Sequence, residues 1–255
     1  MTTRIGVTGA TGRMGREVLA AAAEREDCDV VFAVNREPAG DATVEGVEIE
    51  PAAEFDSLVA DREPTVVVDF TGPESAVDYV ETCAGAGVAF VTGTTGFDDE
   101  FEALEAASED IAVLHAPNFA RGVQALVNVV GDAVQDLPGY DVELVETHHN
   151  GKRDAPSGTA NRLLKEIEAN GDFTERTHGR EGDAPRSERE IGVHALRAGD
   201  VTGEHEIVLA GNHEEVRLTH RAEDRGVFAA GAVDAAVWIA GQKAGWYDFA
   251  DVISE

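Results

Sequence analysis

The 255-residue chain predicts a doubly wound α/β domain on a parallel sheet, followed by a second α+β domain with a mixed open sheet. Three observations carry that expectation. Short apolar runs alternate with helix-like stretches through the first half. A glycine-rich turn joins the first run to the first stretch, and after Asn118 the rhythm changes to a long apolar helix followed by strands.

Taken in order, "TRIGVTG", "CDVVFAVNR", "PTVVVDF", "GVAFVTG" and "IAVLHA" read as strands, being short, apolar and rich in β-branched residues. Between several of them "RMGREVLAAAAERE", "PESAVDYVETCAGA" and "DDEFEALEAASED" read as helices. Strands and helices alternating at this spacing build a parallel sheet covered on both faces, with its binding crevice at the carboxyl ends of the strands. The second domain opens with the helix "GVQALVNVVGDAVQ" and the strand "YDVELVETHH", then a helix started by "PSGTANRLLKEIEA". The polar stretch "GDFTERTHGREGDAPRSERE" reads as a mobile surface loop. "GVHALRAGD", "GEHEIVLAG" and "EEVRLTHRA" read as antiparallel strands, and "GVFAAGAVDAAVWIAGQKAG" as a last helix that packs back on the first domain with no strand pairing after it. The expected divisions are 1–119, 120–225 and a returning segment 226–255.

Composition narrows the function classes. Hydrophobic content of 43% with 27 glycines fits a globular α/β chain. No apolar run approaches the roughly 18 residues of a membrane span, and "MTTRIGVTGA" enters a strand without a leader pattern, so a soluble, cytoplasmic protein is expected. Cys28 and Cys83 stand alone in apolar contexts, as buried thiols in a reducing compartment do. Twenty basic residues against fifty acidic ones give a formal net charge of -30, which makes nucleic acid and anionic membranes poor partners. Repulsion on that scale is screened at molar salt, where the Debye length is about 3 Å, and fits a salt-rich cytoplasm.

In "IGVTGATGRMGREVL", Gly9, Gly12 and Gly15 fall where a strand meets a helix. Glycine lets the backbone turn sharply and approach a pyrophosphate, whose charge rests on the free N–H groups of the helix start; this is the Rossmann-like arrangement for a dinucleotide, although glycine turns also occur without ligands. At the end of the second strand, where an acid usually holds the ribose diol, stand Asn35 and Arg36. Arg36 can pair with a 2'-phosphate, favouring NADPH, or be an ordinary surface arginine. Gly93, Thr94 and Thr95 in "TGTTGF", with Ala116, Pro117, Asn118 and Phe119 in "HAPNFA", fall at later strand ends on the same face, where small residues and an aromatic suit a nicotinamide ring.

The segment "ETHHNGKRDAPSGTA", Glu146 to Ala160, gathers His148, His149 and Lys152, one of only three lysines in the chain, before a Pro-Ser-Gly-Thr turn. Ser157 reads as a helix N-cap with Gly158 and Thr159 in the first turn, so unpaired N–H groups point at whatever precedes them. Ser157 as a helix cap and nothing more is the plainer alternative. A cation, a helix start and two imidazoles together suit a carboxylate-bearing substrate that also receives a proton. No metal is expected, since adjacent strand residues face opposite ways and no third ligand has suitable spacing. His115, His178, His194, His205, His213 and His220 show no partner pattern and read as surface or packing residues.

"ELVETHHNGKRDAPSGTA" closely resembles the signature of the 4-hydroxy-tetrahydrodipicolinate reductase (dihydrodipicolinate reductase) family. "GATGRMG", "DFTGPES", "GTTGF", "PNFARGV", "RAGDVTGEHEI" and "GAVDAAVWIAGQKAGWYDFADV" follow in the family's order, so the likeness spans essentially the whole chain. The resemblance implies reduction of a cyclic hydroxy imine dicarboxylate by NADH or NADPH in the diaminopimelate route to lysine, by a homotetramer joined through the second domain's sheets. By the same resemblance His148 is the proton donor or acceptor and Lys152 the other proton donor, while His149, Ser157, Gly158 and Thr159 hold a substrate carboxylate. Gly9, Ala10, Thr11, Gly12, Arg13, Met14, Arg36, Gly93 to Thr95 and Ala116 to Phe119 match cofactor contacts. Many members carry an acid at the position of Asn35, and basic residues where Asn150 and Gly151 stand. Two other readings stay open at this point: a non-catalytic NADP-binding redox sensor, and a reductase of a related cyclic imino dicarboxylate.

Overall fold

The computed structural model describes residues 2–37 and 43–254. It divides into two compact units, one formed by residues 1–120 with 225–255 and the other by 121–224.

In the first unit the β-branched runs form β1 (Thr3–Thr8), β2 (Cys28–Asn35), β3 (Thr43–Val44), β4 (Val47–Pro51), β5 (Val66–Asp69), β6 (Ala89–Thr92) and β7 (Ala112–His115). Helices α1 (Arg13–Ala23), α2 (Phe55–Arg62), α3 (Pro73–Ala86) and α4 (Phe101–Ala107) lie between them. After α7 (Gly226–Ile239) the chain adds β13 (Gly245–Tyr247) and α8 (Phe249–Ile253). The sheet order is β13-β7-β6-β5-β1-β2-β4-β3, parallel except for the β3–β4 pair. Strand order reverses beside β1, so the carboxyl ends of β1 and β5 flank the topological switch point where such sheets bind ligands. The inner strands are buried on both faces: Val66, Val67 and Val68 of β5 are all fully inaccessible. Two apolar layers result, one containing Ile5, Val7 and the α7 alanines, the other Phe32, Phe55 and Phe90.

Two expectations for this unit need correction. A strand does follow the last helix: β13 pairs with β7 at the sheet edge, in register Trp246 to Val113. Three residues are too few to show a period. Cys83 is buried as expected, but Cys28 is only partly so.

The second unit contains α5 (Arg121–Asp136), β8 (Asp141–His148), α6 (Gly158–Asn170), β9 (Glu175–His178), β10 (Glu190–Arg197), β11 (Gly203–Gly211) and β12 (Glu214–Ala222). Its sheet runs β12-β11-β8-β10-β9. β10 is parallel to both β8 and β9, not antiparallel to β11 as expected, because β11 takes the other side of β8. The stretch read as a loop supplies β9, a short edge strand. Val142, Leu144, Ile191, Val193, Ile207 and Leu209 pack with the apolar stripes of α5 and α6.

Candidate active site

β8 alternates buried and less buried positions along its whole length, and its buried series runs Val142, Leu144, Glu146, His148. The last two carry polar groups into a face that is otherwise apolar. Burying a carboxylate is costly unless it is paired. Glu146 is fully inaccessible, and its oxygens receive a fork from Arg197, Nη1 to Oε2 at 2.9 Å and Nη2 to Oε1 at 2.8 Å. The Ser157 backbone N–H adds a bond of 3.1 Å to Oε1, and His148 Nδ1 lies 2.5 Å from Oε2. Because the carboxylate accepts, His148 carries its proton on Nδ1 and keeps Nε2 as an acceptor.

Arg197 reaches this point because β10 and β8 are parallel with Arg197 beside His148. It also donates to the Asp154 carbonyl at 2.6 Å, tying down the loop that carries Lys152. Within that loop the Lys152 ammonium lies 2.9 Å from Asp154 Oδ1. Ser157 caps α6 through its Oγ, which accepts from the Ala160 N–H at 3.1 Å and lies 3.1 Å from His205 Nε2. His205, opposite Glu146 in the β11–β8 register, stacks edge to face on His148 at 5.2 Å. His149 follows β8 partly exposed, and Gly158 and Thr159 form the first turn of α6.

The electrostatics follow from this packing. Burial works to raise the Glu146 pKa, but Arg197 and His148 overcome it and hold the carboxyl below its ordinary value. Burial lowers His148, against the opposing pull of Glu146. His205 is driven from 6.5 to about 3, chiefly by burial and then by the charge of His148. The unfolded chain therefore takes up this proton near pH 6.5 and the folded chain only near 3. Stability from His205 is fully present above that window and drains away as pH falls through it, by roughly 5 kcal/mol at full extent. Urea unfolding across the window should show this loss, and His205→Gln should flatten it; an unchanged acid limb in the variant counts against this role.

Glu146, Arg197 and His205 join the site only in the structure, His205 being expected at the surface or in strand packing. Glu146 and His148 were legible as a polar i, i+2 pair closing an apolar strand face. Arg197 and His205 belong to distant strands, and only register brings them in.

In the first unit, Gly9 sits at φ +67°, where a Cβ would come within 2.8 Å of the Phe70 carbonyl oxygen, and a Cβ on Gly15 would lie 2.2 Å from the Gly9 oxygen. The turn thus demands glycine and carries α1 against the end of β1. Ala10 is buried, its N–H bonded to the Val34 carbonyl at 3.1 Å, and Met14 packs partly against the core. Thr11 accepts from Arg16, while Gly12 and Arg13 are exposed at the helix start. Gly9 and Gly12 line a cavity of about 350 Å³ together with Asn35, Arg36 and Thr71. Arg36 donates to Ser75 Oγ at 3.1 Å.

Thr94 is buried and Thr95 exposed, and Gly93 leaves room for the Phe70 ring, 2.0 Å from where its Cβ would be. In the next loop Ala116 is buried, Pro117 exposed and Asn118 bonded to the Ala120 N–H at 2.8 Å. Phe119 departs from expectation. Its ring is 1% exposed and packs edge-on with Phe70 and Phe249, so only its backbone is left to meet a ligand.

A glycine-turned nucleotide crevice in one unit and a carboxylate-braced imidazole with a nearby lysine in the other define a two-domain, nicotinamide-dependent oxidoreductase. Two family models match, "Dihydrodipicolinate reductase, N-terminus" over residues 3–119 and "Dihydrodipicolinate reductase, C-terminus" over residues 122–253. A protein of Natronomonas pharaonis named 4-hydroxy-tetrahydrodipicolinate reductase is 54% identical over 97% of this chain and 98% of its own. Another of that name, from Haloarcula marismortui, is 51% identical over 98% and 99%. The dipicolinate-bound dihydrodipicolinate reductase of Paenisporosarcina sp. TG-14 shares the fold with a TM-score of 0.77 at 24% identity, over 97% of this chain and 98% of that one. The chain belongs to the dihydrodipicolinate reductase family.

Proposed function

We propose that the chain reduces 4-hydroxy-tetrahydrodipicolinate to tetrahydrodipicolinate with loss of water, using NAD(P)H, in the diaminopimelate route to lysine. The observation that carries this reading is full-length identity of 54% and 51% to two reductases of that name. A non-catalytic sensor has no need for a lysine and a braced imidazole beside a helix start. In this scheme residues 1–119, completed by 226–255, bind the dinucleotide, and 120–225 bind the substrate and join subunits.

The glycine turn fits a dinucleotide, since a Cβ at Gly9 or Gly15 would collide with backbone in the cradle. Gly9, Ala10, Thr11, Gly12, Arg13 and Met14 would hold the pyrophosphate, Asn35 and Arg36 the adenosine ribose, and Gly93 to Thr95 with Ala116 to Phe119 the nicotinamide. When bound, the nicotinamide supplies a hydride, which with one proton and departure of the substrate hydroxyl as water balances the reaction. Loss of water takes the hydroxyl together with a proton from the adjacent carbon, and the Lys152 ammonium returns one proton to that carbon as the hydride is delivered, so one hydride and one proton are consumed for each water released. His148 presents Nε2 to the substrate, oriented through Nδ1 by Glu146. His149, Ser157, Gly158 and Thr159 hold a carboxylate at the start of α6. Turnover of freshly prepared substrate with each cofactor at high potassium chloride tests the reading; no turnover with either would reject it.

NADPH is the favoured cofactor. Arg36 is bonded to a neutral hydroxyl rather than an acid, and a charged contact to a 2'-phosphate contributes about 1.5 to 3 kcal/mol. Asp56, Asp78 and Glu81 line the adjoining cavity and oppose it in part. Arg36→Ala should therefore reduce kcat/KM for NADPH at least about tenfold while changing NADH little. A tenfold wild-type advantage for NADH would overturn the preference.

A homotetramer is proposed through the face of the second sheet turned away from α5 and α6, where Leu196 is 48% exposed. Subunits of charge -30 repel one another and their anionic ligands, so assembly and rate should both climb with salt towards molar concentration. Sedimentation and rate across a salt series check this; a fully active tetramer in dilute buffer would contradict it.

A further inference from the structure

Asp69 ends β5 at the switch point of the first sheet and is fully inaccessible. Four threonine hydroxyls donate to it: Thr8 at 2.6 Å and Thr71 at 2.6 Å to Oδ1, Thr92 at 2.8 Å and Thr94 at 2.7 Å to Oδ2. Thr8 and Thr92 are its register partners on β1 and β6, so the donors come from three adjacent strand ends. The braces continue outward, with the Thr71 N–H bonded to Thr94 Oγ1 at 3.1 Å and the Gly93 N–H to the Asp69 carbonyl at 2.9 Å. Two donors on each oxygen is the arrangement an ionised carboxyl accepts. No cationic side chain forms an ion pair with it among the described residues.

A buried charge without a counter-ion is costly, and a neutral polar side chain would meet hydroxyls there at lower desolvation cost. The charge therefore calls for a use. In a doubly wound sheet with the pyrophosphate at the first glycine turn and the adenosine towards β2, the nicotinamide falls on the side of β5, β6 and β7. That ring is neutral when reduced and cationic once its hydride has gone.

We propose that Asp69 is a positioning residue for the reduction: it braces the loops after β5 and β6 and places a fixed negative charge that favours the oxidised, cationic nicotinamide over the reduced one. The proposal rests on the cofactor reading above. Asp69 does not touch the reacting atoms; it acts through the field and through Thr71 and Thr94.

The test is the ratio of NADP+ to NADPH dissociation constants, measured by direct titration in molar potassium chloride on wild type, Asp69→Asn and Thr92→Val. Asp69→Asn should weaken NADP+ relative to NADPH by about tenfold, the scale of one charge at moderate distance in a protein. Thr92→Val keeps the charge and strips one hydroxyl dipole from it, so the ratio should move the opposite way. A merely structural role lowers both affinities together and leaves the ratio alone. Should Asp69→Asn fail to fold, Thr92→Val and Thr8→Val still test the proposal, both strengthening NADP+ relative to NADPH. Unchanged ratios in every folded variant, with wild type binding both nucleotides, overturn this proposal alone; wild type binding neither overturns the cofactor reading and this proposal together.

Discussion

Lys152→Ala should lower kcat by about 10² to 10⁴, the range for a positioned general acid, while NADPH affinity stays nearly unchanged. The ammonium is already oriented, 2.9 Å from the Asp154 carboxylate, on a loop fixed by the Lys152 N–H to His149 carbonyl bond of 3.1 Å and by Arg197. Lys152→Arg separates proton delivery from charge. A guanidinium keeps the cation but does not readily give up a proton, so kcat should stay low in this variant as well. Recovery of most of kcat, with the change confined to KM, would assign Lys152 an electrostatic role. His148→Gln should also depress kcat, and the double variant should cost less than the product of the single losses if the two act as one unit. Near wild-type kcat in both Lys152→Ala and His148→Gln would remove these residues from the chemistry.

Arg197→Met should destabilise the protein by roughly 3 to 5 kcal/mol, because it leaves the fully inaccessible Glu146 carboxylate without its counter-ion. The thermal midpoint should drop by about 10 °C for a chain of this size. Replacing both partners, Arg197→Met with Glu146→Leu, should cost less than the two single losses combined, since no uncompensated charge then remains. A catalytic readout separates this pairing from plain packing. With Arg197 gone the full charge of Glu146 acts on His148, whose pKa should rise, so the acid limb of the rate profile should move to higher pH. A loss under about 1 kcal/mol with an unmoved pH profile would show that the fork is incidental.

The candidate site was legible in part. The glycine turn, Ser157 as an N-cap and the gathering of His148 and Lys152 are local patterns, each visible within one turn or one strand. Glu146 lies within the same segment, and its one local signal is the i, i+2 spacing to His148 at the end of an apolar strand face; the Arg197 fork that holds it is not local. The place of the Phe119 ring is likewise settled by packing. An aromatic after a strand suits either a ligand or the core, and packing with Phe70 and Phe249 decided for the core.

By itself the sequence determined the alternation of strands and helices, the parallel first sheet, the nucleotide turn and the family, all of which depend on neighbours within a few residues or on motifs in fixed order. Tertiary structure decided that β10 lies parallel to β8, that β13 closes one sheet edge, and that Arg197 and His205 meet Glu146 and His148. Strand pairing joins residues some fifty positions apart, as Arg197 to Glu146 shows, and its free energy comes from hydrogen bonds and burial formed only when the distant segments meet. No periodicity within one segment records which partner it will find.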